Sequence, residues 1–121
     1  MINYKKVSKI YPTGSQALLE VNLEIKAGEF LSVVGQSGAG KSTLLKLLYA
    51  EERPTAGEVI FNGENLINLK NRHLPYHRRN IGTVFQDFKL LPKKTIFENV
   101  AFAMEAAGKS NAEIFRDVPQ I

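Results

Sequence analysis

A glycine-rich stretch at residues 35 to 43, GQSGAGKST, could grip a polyphosphate. Gly35 to Ser42 fit the pattern G-x-x-x-x-G-K-[ST], in which glycines let the backbone N–H groups form a nest around one anion. Lys41 would add positive charge at the β- and γ-phosphates, and the Ser42 hydroxyl would ligand Mg²⁺. A chance match in a chain this long is on the order of one in a few hundred. We therefore predict nucleoside-triphosphate binding, although the pattern alone does not separate ATPases, GTPases and kinases.

Two predicted elements would position this loop. The apolar run Phe30 to Val34 precedes it and is typical of a strand buried on both faces of a parallel sheet. Good helix formers from Ser42 to Tyr49 predict a helix that starts at the end of the loop and stops near Glu51 and Glu52. The helix N-terminus would add its partial positive charge to the site.

The flanking segments predict the rest of an α/β fold. From Leu18 to Ile25 apolar residues alternate with polar ones (Leu19, Val21, Leu23 and Ile25 are the apolar positions), which favours a half-buried antiparallel strand. Residues 57 to 63, GEVIFNG, predict a strand that runs into an Asn-Gly hairpin turn. We expect an antiparallel β subdomain followed by part of a parallel core sheet.

Beyond residue 80 the pattern predicts one more buried strand and then helices. The strand is the apolar run Ile81 to Phe85. Helical spacing from Thr95 to Ala107 predicts a helix with Thr95 as N-cap and Gly108 as its stop. Residues 110 to 113, SNAE, then predict a capping box that opens a further helix.

A second motif narrows the class of nucleotide-binding protein. Residues 84 to 91, VFQDFKLL, followed by TIFENV at 95 to 100, resemble the Q-loop of ABC-type ATP-binding domains. Tyr11 occupies the position at which such domains have the aromatic residue that stacks on adenine. Residues 57 to 63 match their hairpin after the phosphate-loop helix. Three segments are similar to the corresponding segments of the cell-division members of this family: Ala39 within the loop, ERPTAG at 52 to 57, and the run from residue 84 to 108. Its lipoprotein-release and macrolide-export members share much of the same pattern.

The resemblance implies a role for each matching residue. Tyr11 would stack on adenine, and the amides from Ser37 to Thr43 would cradle the phosphates of ATP. Gln86 would approach Mg²⁺ and the attacking water and sense the γ-phosphate. The implied catalytic residues are Lys41 and Gln86, and the implied metal ligands are Ser42 and Gln86. The implied nucleotide-binding set is Tyr11, Gly35, Gln36, Ser37, Gly38, Ala39, Gly40, Lys41, Ser42 and Thr43.

Alternative interpretations of the single residues remain open at this point. Tyr11 could be an ordinary strand-end tyrosine, and Gln86 could simply cap a strand. Asp87 could be a metal-binding Asp at the end of an apolar strand. We reject this interpretation, because the residues after Gln86 match the loop pattern of the family and do not supply a second acid. His73 and His77 are four residues apart, but a proline lies between them and no carboxylate accompanies them, so we expect no metal site there.

Other motifs of the family are absent from residues 1 to 121. The family hydrolyses ATP when two domains sandwich it, yet no LSGGQ-type signature, no Walker B strand ending in Asp-Glu and no switch histidine occurs here. We therefore expect residues 1 to 121 to be a partial ABC nucleotide-binding domain, corresponding to its first half. It should bind nucleotide weakly or not at all unless partnered, and should not hydrolyse ATP alone. The missing strands would leave a sheet edge that favours non-native self-association.

Composition and charge limit the partners. The chain has 121 residues, no cysteine and a net charge of +4. No apolar stretch approaches the roughly 20 residues that span a bilayer. Seven basic residues and one acid lie between Lys70 and Lys94, which fits either solvated loops or an anionic partner. Aromatic residues are not interleaved with them as nucleic-acid binding would require, so we predict no nucleic-acid partner.

The resemblance implies an ATP-binding subunit of a membrane-associated cell-division complex. Its partners would be a polytopic, permease-like membrane subunit and a second ATP-binding subunit, with the protein peripheral on the cytoplasmic face of the membrane at the division site. Lys93 and Lys94 would then lie near anionic lipid. The alternative within the family is the ATPase of an exporter or lipoprotein-release system. A soluble kinase or GTPase is a third interpretation, disfavoured because the chain has no Asn-Lys-x-Asp motif.

Overall fold

The computed structural model describes residues 1–120, which form two compact units, residues 1–78 and the residues from Arg79 onward. The first unit contains one four-stranded antiparallel sheet with the strand order β2-β1-β3-β4. No helix in the described part of the chain is long and apolar enough to cross a membrane. The elements of this unit are β1 (Ile2–Ile10), β2 (Gln16–Ile25), α1 (Lys41–Leu48), β3 (Ala56–Phe61), β4 (Glu64–Asn65), two 3-10 turns (Leu66–Asn68 and Asn71–His73) and most of α2 (Leu74–Arg79).

Helix α1, which follows the glycine-rich loop, is anchored to the sheet by its buried side. Leu47 of α1, Val7 of β1 and Val59 of β3 are almost completely buried in one apolar cluster. The Tyr4 hydroxyl donates a hydrogen bond to the Leu44 carbonyl at 2.9 Å, and burial raises the pKa of Tyr4 to about 12. Strand β1 therefore holds the helix that carries the predicted phosphate site.

Strand β2 forms where the alternation predicts it, but one of its apolar residues faces the other way. Val21, Leu23 and Ile25 are partly buried as expected, whereas Leu19 is 67% exposed and Leu18 is buried. The pairing of β1 with β2 shifts register between Val7 and Lys9, and Glu20 has a φ of 44°. This irregularity reverses the facing of the residues before it, so the prediction for Leu19 was wrong.

The hairpin and the end of α1 are set by residues with left-handed backbone. Asn62 and Gly63 have φ values of 49° and 87°, as a type I′ turn between β3 and β4 requires, which confirms the predicted hairpin. Helix α1 ends at Leu48 and not near Glu51, because Ala50 turns the chain with a φ of 51°. The amide of Glu51 then donates to the Lys46 carbonyl at 2.9 Å.

The two apolar runs predicted as parallel core strands do not form strands within residues 1–120. Phe30 is 93% exposed and Val34 85% in the first run, and Val84 is 91% exposed in the second. An apolar run becomes a strand only when neighbouring strands complete its hydrogen bonds, and the one sheet of the described residues pairs β1 to β4 alone. The strand predictions for 30–34 and 81–85 are therefore wrong for this structure.

The second unit is helical, and its two longer helices begin where the capping signals predict. Its helices are α3 (Ile96–Ala106) and α4 (Asn111–Asp117), followed by a 3-10 turn (Val118–Gln120). Thr95 and Glu98 form one capping box and Ser110 and Glu113 another, which confirms both predicted helix starts. Ala101 of α3 packs with Ile114 of α4 and with Val118 in a small apolar cluster.

The capping carboxylates predict a pH dependence of this unit's stability. Hydrogen bonds from Lys94 and Thr95 lower the pKa of Glu98 to about 2, and bonds from Ser110 and Lys109 lower that of Glu113 to about 2. A carboxylate whose pKa is lower in the folded state stabilises the fold above its unfolded pKa and loses that contribution as the pH falls through the folded one. Helicity and melting temperature should therefore fall between pH 4.5 and about pH 2.

The double variant Glu98→Gln and Glu113→Gln tests this pH dependence by circular dichroism, because glutamine can keep a capping box without titrating. It should show a shallower loss of melting temperature below pH 4.5 than the unmodified chain. Glu24→Gln, on the exposed face of β2, is the matched control and should leave the slope unchanged. Equal slopes for the double variant and the unmodified chain would contradict the attribution of this pH dependence to Glu98 and Glu113.

Candidate nucleotide-binding site

The predicted phosphate loop leads directly into the first turn of α1. Gly40 is the residue before the helix, with a φ of 83°, and its carbonyl accepts the hydrogen bond from the Leu44 amide at 3.0 Å. The amides of Lys41, Ser42 and Thr43 thus belong to the turn whose N–H groups have no acceptor within a helix. The first turn carries no acidic residue. This end of α1 is therefore suited to an anion.

The Lys41 side chain folds back onto the start of the loop. Its ammonium donates hydrogen bonds to the carbonyls of Gly35 and Gln36, each at 2.7 Å. The Ala39 amide donates to the Gln36 carbonyl at 3.2 Å, which closes the turn between them. The loop is thus folded around its own cation, and a phosphate could exchange for the two carbonyls as a partner of Lys41.

Gly40 packs against strand β2 more closely than any other residue type could. A Cβ at Gly40 would lie 2.3 Å from the Ala17 carbonyl oxygen and 2.8 Å from Leu18 Cδ2. Its left-handed φ also disfavours a side chain. The glycine therefore fixes the distance between the phosphate loop and the sheet.

The two hydroxyl residues after Lys41 point to different surroundings. Ser42 is exposed, and its hydroxyl supplies an oxygen, the ligand atom that Mg²⁺ takes in proteins. Thr43 is buried, and its hydroxyl lies 3.3 Å from that of Tyr11. The structure thereby brings together Tyr11 and a residue of the phosphate loop that are 32 positions apart in sequence.

Tyr11 is half-buried at the end of β1 and is held at both its backbone and its hydroxyl. The amide of Tyr11 donates to the Ser15 carbonyl at 2.9 Å, and the Gly14 amide donates back to the Tyr11 carbonyl at 2.8 Å. The hydroxyl also donates to Glu52 Oε1 at 3.1 Å. Hydrogen bonds at its backbone and at its hydroxyl therefore hold Tyr11 beside α1.

The sequence did not identify the charged residues around Tyr11. Lys9 contacts Glu52 at 3.0 Å, and Lys46 lies 3.5 Å from the same carboxylate. Burial would raise the pKa of Glu52, but hydrogen bonds from Lys9 and Tyr11 outweigh it and bring the pKa below its ordinary value. An acid just past the C-terminus of a helix opposes the helix dipole, and that anomaly at Glu52 was the signal available in the sequence.

Gln86 belongs to the second unit, unlike the other predicted site residues. It is exposed in a turn in which the Phe88 amide donates to the Phe85 carbonyl at 3.1 Å. Its neighbour Asp87 pairs with Lys89 at 2.6 Å, and hydrogen bonding from that lysine lowers the pKa of Asp87. The roles of Gln86 at the metal and at the attacking water remain predictions.

The two histidines have separate structural partners. His77 is buried, with its Nε2 2.7 Å from the Leu48 carbonyl and its ring edge-on to Phe61. His73 accepts a hydrogen bond from Arg72 at 3.1 Å. Among the described residues there is no group of three or more His, Cys, Asp or Glu side chains that could hold a metal ion.

The comparisons with known proteins agree on one family. The model of the ABC transporter family matches residues 18–120. The chain is 50% identical over its whole length to the cell division ATP-binding protein FtsE of Bacillus subtilis, of which it covers 53%. It is also 53% identical over 107 residues, or 88% of the chain, to the methionine import ATP-binding protein MetN of Helicobacter pylori, of which it covers 33%.

A solved structure extends the similarity to the fold. A dimeric ATP-binding cassette in a post-hydrolysis state, bound to ADP and Pi, superposes with a TM-score of 0.87 at 38% identity. The match covers 99% of this chain and 55% of that one. The chain thus spans about half the length of the relatives named here as FtsE and as the dimeric cassette.

Proposed function

Because this chain belongs to the ABC transporter family, we propose that residues 1–121 are the ATP-binding first half of a cassette subunit that serves bacterial cell division. The observation that carries the ATP-binding part of this proposal is the folded phosphate loop on α1, with the Lys41 ammonium bonded to the loop and Tyr11 in contact with the same helix. The loop would hold the triphosphate, and Tyr11 would stack on adenine.

Mg²⁺ and a second subunit complete the proposed site. The Ser42 hydroxyl would ligand Mg²⁺, and Gln86 would contact the metal and the attacking water. A second ATP-binding subunit would close over the nucleotide, a proposal supported by the dimeric state of the similar cassette bound to ADP and Pi. Since neither a signature motif nor a Walker B strand occurs in residues 1 to 121, we propose that this segment does not turn over ATP alone.

The proposed membrane partner is an FtsX-type permease subunit, with the protein peripheral on the cytoplasmic face of the membrane at the division site. The similarity to FtsE proteins, which runs over the whole chain, supports this partner. A second candidate is the ATPase of a methionine importer, favoured by the 53% identity to MetN over 107 residues. The two candidates differ in the permease that the cassette would bind.

Co-purification distinguishes these candidates. The protein is expressed with the FtsX-type permease or with a methionine-import permease, and each permease is tagged and isolated in detergent with ATP. We expect the protein to be retained by the FtsX-type permease and not by the other. Retention by the methionine permease alone would replace the first candidate with the second, and retention by neither would contradict both.

A further inference from the structure

The hydroxyl of Tyr11 lies in a small polar cluster with Glu52 and Lys9. Glu52 Oε1 accepts the hydroxyl's hydrogen bond at 3.1 Å, and Glu52 Oε2 pairs with Lys9 at 3.0 Å. The side chains of Lys9 and Glu52 are only 15% and 19% exposed. An ion pair shielded from water to this extent holds its geometry better than one on the open surface.

Lys9 also determines which face of the tyrosine ring is available. Its ammonium lies 5.2 Å from the centre of the Tyr11 ring, within the range of a cation–π contact, and also donates to the Arg53 carbonyl at 2.8 Å. One ring face is therefore occupied by this cation. A planar ligand could stack only on the other face.

The same cluster ties the ring to the helix of the phosphate loop. The buried Thr43 hydroxyl is 3.3 Å from the Tyr11 hydroxyl, and Lys46 of α1 lies 3.5 Å from Glu52 Oε1. The aromatic ring and the N-terminus of α1 are thus linked by short contacts and not only through the intervening chain. Their separation is what a bound nucleotide must match with its base and its phosphates.

We propose that Glu52 is a positioning residue for the nucleotide, which acts through Tyr11. It holds the phenol, with Lys9 on one face, so that the opposite face receives the base of a triphosphate bound at the loop. This inference rests on the proposed function, in which Tyr11 stacks on the base. A purely structural Glu52 would instead tie β1 to the end of α1 and affect every ligand equally.

The test compares MgATP with magnesium tripolyphosphate, which has the phosphates and no base. Binding to the 121-residue chain is measured by calorimetry for both ligands. Glu52→Ala should weaken ATP binding by about tenfold, the range of one base–aromatic stack, and leave tripolyphosphate binding unchanged. Glu52→Gln keeps an oxygen that can accept from the phenol, so it should restore most of the ATP affinity. Glu51→Ala is the matched control, since Glu51 is the neighbouring acid and is half exposed.

Tyr11→Phe provides a second path to the same conclusion if Glu52→Ala does not fold. It removes the hydroxyl through which Glu52 acts and keeps the ring, so the same selective loss of ATP binding is expected. Where Glu52→Ala does fold, adding it to Tyr11→Phe should cause little further loss of ATP binding, because both changes remove the same hydrogen bond.

The outcomes separate this inference from the proposed function. Equal loss of ATP and tripolyphosphate binding in the Glu52→Ala and Tyr11→Phe variants, or no loss of either, would overturn the positioning role. Neither result would contradict the proposed function, because the unmodified chain would still bind both ligands. If the unmodified chain binds neither ligand, the proposed function fails and the positioning role fails with it.

Discussion

Lys41→Ala is expected to weaken MgATP binding to the chain by at least about tenfold, because the variant loses a charge-assisted contact to the phosphates. The ammonium already lies in the loop, where it contacts the carbonyls of Gly35 and Gln36 at 2.7 Å. Since the loop is folded in the single chain, we expect weak binding even without a second subunit. Equilibrium titration at millimolar ATP measures the effect.

The matched control is Lys70→Ala, which removes the same charge from an exposed position outside the phosphate loop. It should leave the affinity for ATP unchanged. A similar loss in both variants would mean that net charge and not the loop attracts the nucleotide. Steady phosphate release from the chain that Lys41→Ala abolishes would contradict the proposal that this segment does not hydrolyse ATP alone.

Gly40→Ala is expected to lower the free energy of unfolding by about 3 kcal/mol, as the sum of backbone strain and steric overlap. The strain follows from the φ of 83°, and the overlap from the 2.3 Å between the new Cβ and the Ala17 carbonyl oxygen. Because β2 is hydrogen-bonded into the sheet, the overlap can be relieved only if the loop moves away from it. Chemical denaturation measures the change.

Gly28→Ala isolates the steric part of this prediction. Gly28 has nearly the same left-handed φ, 77°, but a Cβ there would meet no atom within 4 Å. We expect this variant to cost about 1 kcal/mol, the backbone strain alone. Equal losses for the two variants would show that the close packing of Gly40 on β2 does not contribute.

Structural features that depend only on residues close together in the sequence could be predicted. The turn at Asn62 and Gly63 and the capping boxes that begin at Thr95 and Ser110 depend on side chains within three positions of one another, so local chemistry decides them. The glycine-rich loop is of the same kind, since its spacing alone places the amides and Lys41 at the start of a helix.

Features that depend on distant partners could not be predicted. The irregularity at Glu20 that exposes Leu19 arises from the pairing of β2 with β1. The apolar run at residues 30–34 would form a strand only beside neighbouring strands. Likewise Glu52 meets Tyr11 across 41 positions, and no periodicity in the sequence links them. The register of a sheet and the partners of a charged residue are tertiary facts that override local patterns.

The most direct test of the ATP site is a titration of the ¹⁵N-labelled chain with MgATP, followed by amide chemical shifts. We expect the largest shifts on the amides from Ser37 to Thr43, with a second group at Tyr11. Magnesium tripolyphosphate should reproduce the first group without the second. Shifts that leave the glycine-rich loop unchanged, or that cluster on the basic residues between Lys70 and Lys94, would contradict the proposed ATP site.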